Sequence, residues 1–191
     1  MDTKLLATVR FYFAQCVFMH TIHYAAKTRI AKQQKKWNRA TIWIAGVTFL
    51  CIILQICGLE FTLVPIIQIS SYVGLFATGG SMLLSMAQKE DYCSLMCQHK
   101  HIAENYKSLR DRYMMLIMEI MTDKHENTIL NNKAQNFLDE YDRIGRNAPD
   151  TTGDDYNDTQ KTLGLSGQGE AFTWSDSEID RFLPLELRLN K

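Results

Sequence analysis

The feature that most restricts how this chain can fold is a run of nineteen residues, 41–59, without a charged side chain. In an α-helix, which rises about 1.5 Å per residue, such a run reaches roughly 28 Å, close to the hydrocarbon thickness of a bilayer. A second apolar run, 65–88, follows it, and the one charge between the two runs is Glu60. Gly58 and Pro65 mark a turn there, because proline is tolerated in the first turn of a helix. The sequence therefore predicts a hairpin of two membrane-spanning helices.

Two other interpretations of the apolar segments fit the sequence less well. A pair of core helices in a soluble protein would rarely contain eighteen or more consecutive residues without a charge. The segment 11–19 is long enough for the hydrophobic part of a signal peptide. However, His20, His23 and Lys27 follow it, and no small-residue cleavage site does. We therefore expect membrane spans and no cleaved signal peptide.

Basic residues are distributed unevenly around the predicted spans. Segment 21–40 carries six lysines and arginines, segment 60–64 carries none, and segment 89–108 carries three. Because cytoplasmic loops are enriched in lysine and arginine, this pattern predicts that both termini are cytoplasmic. The cluster before the first span is expected to contact anionic membrane lipid rather than nucleic acid. The members of this cluster, the basic anchor, are Arg29, Lys32, Lys35, Lys36 and Arg39.

Small and hydroxyl-bearing side chains recur along one face of each predicted span. Small residues let two helices approach closely, and hydroxyl groups can hydrogen-bond between them. The same residues could instead line a water-filled pore, which would need several copies of the chain, since two helices cannot enclose a channel. The sequence leaves both interpretations, span packing and pore lining, open. The residues are Thr48 and Gln55 in the first span and Ser70, Gly74, Ala77, Thr78, Ser81 and Ser85 in the second.

Three other segments show the alternating three- and four-residue spacing of apolar side chains that is typical of coiled coils. They predict cytoplasmic helices over about 5–36, 89–122 and 125–145. A two-span hairpin brings the first two side by side, so we expect an antiparallel, coiled-coil-like stalk and an all-α fold. Its histidines are expected to be packing residues rather than catalysts. The predicted contact positions, the helix seam, are His20, His23, His99, Ile102, Tyr106, Leu109 and Tyr113.

The composition changes after about residue 147. Segment 147–191 is polar and acidic, rich in Asp, Thr and Gly, and shows no apolar period, so most of it is expected to be an extended or mobile, irregular tail. Ser175 and Glu178 form a capping-box pattern, which predicts a short terminal helix. The apolar sequence FLPLELRL, 182–189, is expected to dock on another part of the protein.

The sequence contains no motif that predicts an enzyme. It lacks a glycine-rich phosphate loop, a nucleophile elbow and a zinc-protease histidine pair. Cys93, Cys97 and His101 share one helical face, but the first and last lie about 12 Å apart along a helix. Zinc ligands lie about 2.0–2.3 Å from their ion, so these three cannot share one. We therefore expect no metal, no cofactor and no catalytic residue.

Three short motifs around the spans resemble those of a known family. They are HTIHYAAKTR before the first span, HKHIAENYKSLRDRY after the second, and APDTTGDDYNDTQK further on. Over about residues 10–165 the chain is similar to SLATT-domain proteins, the two-transmembrane effectors associated with SMODS nucleotidyltransferases and SLOG sensors. The positions that match are His20 or His23 with Ala25 and Ala26, then His99 or His101 with Ala103, Tyr106 and Leu109, then Ala148, Pro149, Asp155 and Tyr156.

The resemblance implies a function that the residue pattern alone does not. It predicts an oligomeric effector in a bacterial inner membrane that forms a pore, or otherwise breaches the membrane, in an anti-phage conflict system. Its trigger would be a nucleotide signal, a sensor or signalling partner protein, or a ligand of the cytoplasmic helices. The alternative is a two-span anchor or scaffold whose cytoplasmic helices recruit a partner.

Overall fold

The computed structural model describes residues 2–87, 91–122, 126–165 and 174–190. These ranges contain helices and no strand, which confirms the predicted all-α class. The expected end of the second span at Gln88 lies outside them, as do residues 123–125 and part of the predicted tail, 166–173. The helices are α1 (Thr3–Glu60), α2 (Val64–Ala87), α3 (Tyr92–Thr122), α4 (Asn127–Arg146), α5 (Gly153–Leu163) and α6 (Asp176–Asp180), followed by a 3-10 turn at Leu185–Leu187.

The chain divides into two compact units. The helical unit consists of Met1–Arg29 and Ser94–Lys191, and the hairpin unit consists of Ile30–Cys93. Helix α1 contributes to both units as one continuous helix, where the sequence predicted a cytoplasmic helix followed by a span. Its continuity has a local cause, because no glycine occurs before Gly46 and no proline before Pro65.

In the helical unit, the first part of α1 packs against α3 and α4. Residue numbers rise along α1 as they fall along α3, so these two helices are antiparallel, as the stalk prediction requires. Helices α3 and α4 are antiparallel as well. The pairs that show this are His23 with His99 and Tyr12 with Tyr113, then Tyr106 with Tyr141 and Tyr113 with Phe137.

The core of the helical unit lies where these three helices meet. The structure buries every position of the helix seam except His20, which is half-buried. Leu6, Val9 and Phe13 of α1 and Leu130 and Ile144 of α4 belong to the same core. Because burial of an aliphatic side chain contributes about 1.5–3 kcal/mol, this core supplies much of the driving force that assembles the unit.

The segment after residue 147 differs from the expected irregular tail. It forms α5 and α6, and it buries Thr159, Ile179 and Leu183 against the rest of the helical unit. The capping box predicted at Ser175 and Glu178 is present. Composition misled the prediction because this segment has few apolar residues of its own. It is ordered by packing those few residues on a core that the other helices supply.

The hairpin unit contains two helices that are long and apolar enough to cross a membrane, one of them the later part of α1 and the other α2. Their outward faces carry large apolar side chains, including Trp43, Phe76 and Leu83, which are 76%, 79% and 69% exposed. Such surfaces are costly in water and favourable in hydrocarbon, so they indicate a lipid-facing surface.

Small side chains mediate the contact between α1 and α2. A Cβ atom added at Gly74 would lie 3.5 Å from the Cβ of Cys51, and Gln55 Nε2 donates a hydrogen bond of 3.2 Å to Ser71 Oγ. The least exposed positions of both helices recur every three or four residues. They are Ile44, Thr48, Cys51, Gln55 and Gly58 on α1 and Ile67, Ser70, Gly74, Ala77 and Ser81 on α2.

The closest approach of the hairpin helices lies beside the turn. Helix α1 ends at Glu60 and α2 begins at Val64, which places Pro65 in the first turn of α2, as predicted. A Cβ atom added at the buried Gly58 would lie only 2.7 Å from Ile67 Cγ1. Only glycine therefore fits at this crossing without a shift of the Ile67 side chain or of the helices.

We expect Gly58→Ala to destabilise the protein by about 1–3 kcal/mol, because its methyl group would overlap Ile67. Gly46→Ala is the matched control, since nothing lies within 4 Å of the Cβ position there. The higher helix propensity of alanine should leave the control unchanged or up to about 1 kcal/mol more stable. Thermal unfolding of both variants in detergent, followed by circular dichroism, tests this. Equal melting temperatures would contradict a tight contact at Gly58.

Candidate functional site

Two buried histidines form the centre of the helical unit. Helix α1 supplies His23 and helix α3 supplies His99, and each is 1% exposed. Their Nδ1 atoms lie 3.0 Å apart, which is a hydrogen-bond distance. Because a neutral imidazole carries one hydrogen, one ring donates its Nδ1–H and the other accepts it. The pair therefore joins the two helices through a single shared hydrogen.

Burial keeps this histidine pair neutral near pH 7. Desolvation, together with the neighbouring His99, lowers the pKa of His23 to about 4, although the carboxylate of Asp155 acts in the opposite direction. Desolvation also lowers the pKa of His99, assisted by the positive charge of Arg29 and opposed by Asp155. Uncharged rings can share the hydrogen bond without placing an uncompensated positive charge in the core.

Tyr106 packs directly on this pair. Its ring stacks on His23 with the centroids 6.1 Å apart and an angle of 12° between the planes. Its hydroxyl group is buried with no hydrogen-bond partner among the described residues, and burial raises the pKa of this phenol to about 12. The hydroxyl oxygen lies 3.3 Å from where a Cβ of Gly145 would be, so a larger residue there would crowd it.

A buried aspartate on α5 lies next to the histidines. Asp155 accepts hydrogen bonds from Arg29 Nε at 2.9 Å and from Arg29 Nη2 at 3.0 Å, a two-point contact. It also accepts from the backbone and hydroxyl groups of Thr152, which caps α5. Burial alone would raise the pKa of Asp155, but the bonds from Arg29 and Thr152 outweigh it, and the net pKa is lowered. The carboxylate therefore stays charged and holds α5 on α1.

A second arginine on α1 binds the segment that contains α6. Arg10 is 1% exposed, and its Nη2 donates to Asp180 Oδ1 at 2.7 Å. The outer carboxylate of Asp176 lies 3.4 Å from the same nitrogen but is 62% exposed. Asp180 also accepts from the backbone N–H groups of Leu189 and Asn190, at 3.2 and 3.0 Å. This buried ion pair fastens the segment to the beginning of α1.

Comparison with known protein families identifies the chain. The model of one family, described as SMODS and SLOG-associating 2TM effector domain family 4, matches residues 5–178. The chain belongs to this SLATT family. No curated protein and no solved structure shows significant similarity to it. The family name implies an effector domain with two transmembrane helices that is associated with defence systems, in agreement with the two apolar helices. The SLATT chain is thus a membrane protein.

The structure distinguishes between the alternative histidines of the SLATT resemblance. His23 and His99 meet in the core with Tyr106 and Asp155, although these residues come from three separate sequence motifs. The other two alternatives lie elsewhere. His20 is half-buried with its Nδ1 3.0 Å from the carbonyl oxygen of Ala103, and His101 is exposed beside Asn105.

The predicted basic anchor divides into two parts. Arg29 lies in the helical unit and binds Asp155, so its charge is already neutralised inside the protein. The remaining four members are exposed. They follow one another at spacings of three, one and three residues, which places them on one face of α1. They are Lys32, Lys35, Lys36 and Arg39.

The predicted stripe of small residues on α2 also divides. Ser70, Gly74, Ala77 and Ser81 lie among the less exposed positions that face α1, whereas Thr78 and Ser85 are exposed. The hydroxyl groups of Ser70, Thr78, Ser81 and Ser85 donate to carbonyl oxygens of their own helix at 2.7–2.9 Å. None of these four therefore needs a partner from another helix.

Sequence reasoning missed the ion pair between Arg10 and Asp180. A signal was present on α1, because Arg10 follows the core residue Leu6 by four positions and precedes Phe13 by three. An arginine at a buried helical position needs an acid close by. Its partner could not be identified, since many acids lie in the segment after 147 and Asp180 is separated from Arg10 by 170 positions.

We expect Asp155→Asn to lower the free energy of unfolding by about 1.5–3 kcal/mol, because it removes charged hydrogen bonds to Arg29. Asp154→Asn is the matched control, since Asp154 is exposed and lies in the same first turn of α5. Chemical denaturation of the purified SLATT chain in detergent would measure both. An equal effect of the two variants would show that the two-point contact contributes little.

We expect Asp180→Asn to cost about 3–5 kcal/mol, because it leaves the buried charge of Arg10 without its closest partner. Asp176→Asn touches the same arginine through an exposed carboxylate and should cost less than about 1 kcal/mol. The double variant Arg10→Met/Asp180→Asn should recover part of the loss, since neither charge remains. Melting temperatures of the four proteins would show this order, and a double variant no more stable than Asp180→Asn would refute it.

Proposed function

We propose that this SLATT chain is a homo-oligomeric effector that opens a pore in the bacterial inner membrane. A nucleotide signal or a partner protein acting on the helical unit would trigger it, and both termini would face the cytoplasm. Family membership supports the effector role. The observation that best supports a pore is a row of exposed hydroxyl groups on α2.

The hydroxyl row consists of Ser71, Thr78 and Ser85, which lie seven residues apart and therefore on one line of the helix. All three are exposed in the single chain. Gln68, one turn before Ser71, adds an exposed amide. Amide side chains are costly in hydrocarbon and usually face protein or water in membrane proteins. Ser71 accepts a hydrogen bond from Gln55 of α1, whereas α1 leaves Thr78 and Ser85 uncovered. Further copies of the chain are the simplest partners of these two, with water between them.

The hydroxyl row replaces most of the stripe predicted from the sequence as the candidate pore lining. Ser70, Gly74, Ala77 and Ser81 would then serve the contact with α1 inside each copy. The large apolar side chains of Phe76 and Leu83 project elsewhere on α2 and suit a lipid-facing surface. One helix thus offers a packing face, a polar face and a lipid face, which is what a pore-lining helix of an oligomer needs.

The four exposed residues of the basic anchor support the proposed orientation. Lys32, Lys35, Lys36 and Arg39 precede Trp43 on the same face of α1, and Trp43 is 76% exposed. Cations followed by an indole are typical of the cytoplasmic membrane interface. Each lysine or arginine near an anionic surface contributes about 1 kcal/mol of attraction. Anionic phospholipid is therefore the proposed lipid partner of this face.

A scaffold that recruits a cytoplasmic partner is the second candidate function. A groove between α3 and α4 favours it, lined by the apolar residues Ile102 and Ile144 and by the polar residues Gln98, His101, Asn105, Glu140, Arg143 and Asn147. Such a groove offers both hydrogen-bond donors and acceptors to a partner. In this function the hydroxyl row would have no role in ion flow.

The proposed pore predicts that the triple variant Ser71→Ala/Thr78→Val/Ser85→Ala loses ion flux. These changes make the row apolar at almost constant volume, and an apolar constriction excludes water. Cells that overexpress the wild-type chain, so that its high concentration replaces the trigger, should depolarise, as measured with a potential-sensitive dye, and the triple variant should reduce the rate at least tenfold. Chemical cross-linking and membrane fractionation should show unchanged assembly.

The double variant Ser70→Ala/Ser81→Ala provides the control, because it removes the same groups from the packing face of the same helix. It should depolarise cells as the wild type does. Equal flux from the triple variant would exclude the hydroxyl row as pore lining. A wild-type chain that forms cross-linked oligomers and leaves the potential unchanged would favour the scaffold.

A further inference from the structure

The contact between His23 and His99 has an unusual dependence on protons. The two rings meet through their Nδ1 atoms at 3.0 Å, and no carboxylate separates them. A hydrogen bond between two imidazoles needs one nitrogen with a hydrogen and one without. It therefore exists only while at least one of the rings is uncharged.

We propose that the His23–His99 pair is a proton-operated lock, which holds α1 against α3 when neutral and releases them when both rings become protonated. The lock joins the two helices close to Arg29, the last residue of α1 that belongs to the helical unit.

Each added proton has a definite effect on the hydrogen bond between the two rings. A first added proton can settle on Nε2 of the ring that donates, and the shared hydrogen bond survives. A second must bind the accepting Nδ1. Two N–H groups and two positive charges then face each other across 3.0 Å, so the rings must separate. Water that enters between them solvates both charges.

The surroundings of the pair offer little to neutralise these charges. From α5, Asp155 acts on both rings, but its oxygens already accept from Arg29 and Thr152. From α1, Arg29 adds positive charge near His99. From α3, Tyr106 stacks on His23 as a neutral phenol, and from α4, Tyr141 contacts the rings of Tyr106 and Tyr12. Among the described residues, Asp155 is thus the one acid that acts on the pair.

Linkage gives the size and direction of the effect. Burial lowers the pKa of His23 to about 4 from an ordinary 6.5. Between these values the open form binds a proton that the closed form does not, so opening becomes more favourable as the pH falls. At pH 5 His23 alone would favour opening by roughly 30-fold relative to pH 7.5. The lowered pKa of His99 acts in the same direction.

The lock stands on the helical unit alone. That its release activates the spans rests on the proposed pore function, since α1 continues from His23 into the first span as one helix. Opening and ion flux are therefore measured separately. Acid-induced opening without flux would preserve the lock and count against the pore.

Hydrogen exchange of the full chain in lipid nanodiscs tests the lock. Peptides of α1 and α3 that contain His23 or His99 are followed at pH 7.5 and 5.0, with rates corrected for the intrinsic effect of pH. In the wild type, protection of these peptides should fall by roughly 30-fold or more at pH 5.0. In His23→Gln/His99→Gln, where two amides can still share a hydrogen bond but cannot titrate, it should fall less than threefold.

His101→Gln is the matched control, since His101 is exposed on the same helix and should behave as the wild type. A wild-type protection that does not change with pH, or the same loss in the double glutamine variant, would overturn the lock. If that variant does not fold, nitrogen-15 NMR of the wild-type imidazoles decides instead. One Nδ1 atom should carry a hydrogen and the other should not at pH 7.5, and hydrogens on both Nδ1 atoms there would be incompatible with the proposal.

Discussion

The helical unit depends on how α1 satisfies three of the polar side chains that it buries or half-buries. Arg10, His23 and Arg29 lie along one helix among apolar neighbours, and an unpaired charge or donor there would cost several kcal/mol. Each obtains its partner from a different element, Asp180 from α6, His99 from α3 and Asp155 from α5. The apolar seam brings the helices together, and these contacts select one register among those that an apolar seam alone would allow.

The features that the sequence predicts well depend on patterns within a single segment of the chain. The antiparallel stalk and the seam through Tyr106 and Leu109 follow from spacings of three and four residues, which indicate the buried face of a helix directly. The two spans follow from the length of two uncharged runs. It predicts poorly which residues that are distant in sequence form a pair. Arg29 and Asp155 are 126 positions apart, and nothing in the sequence around either residue identifies the other as its partner. The segment after 147 was therefore expected to be irregular, although a few apolar side chains and two carboxylates suffice to order most of its described part.

The prediction of the hairpin unit from the sequence was limited for a similar reason. A spacing of three and four residues identified a small-residue stripe on α2, but it could not assign the neighbouring hydroxyl groups to the contact with α1 or to the outside. The structure separates Ser70 and Ser81 from Thr78 and Ser85 because α1 covers only part of the stripe, and glycine at 58 lets it come close. The exposed remainder is what connects the fold to the proposed pore, since its hydroxyl groups lie outside the contact with α1.

The division of the helical unit into Met1–Arg29 and Ser94–Lys191 has a consequence for biosynthesis. Both membrane helices are encoded between these parts, so a ribosome translates the entire hairpin before it reaches α3, α5 or α6. Arg29 is made 126 positions before Asp155, an interval of about 6–25 s at ordinary rates of translation. During that time the first segment of α1 carries its cations without their acids. Insertion of the spans can therefore begin while the helical unit is still incomplete, and this unit is complete only when Arg29 has bound Asp155 and Arg10 has bound Asp180.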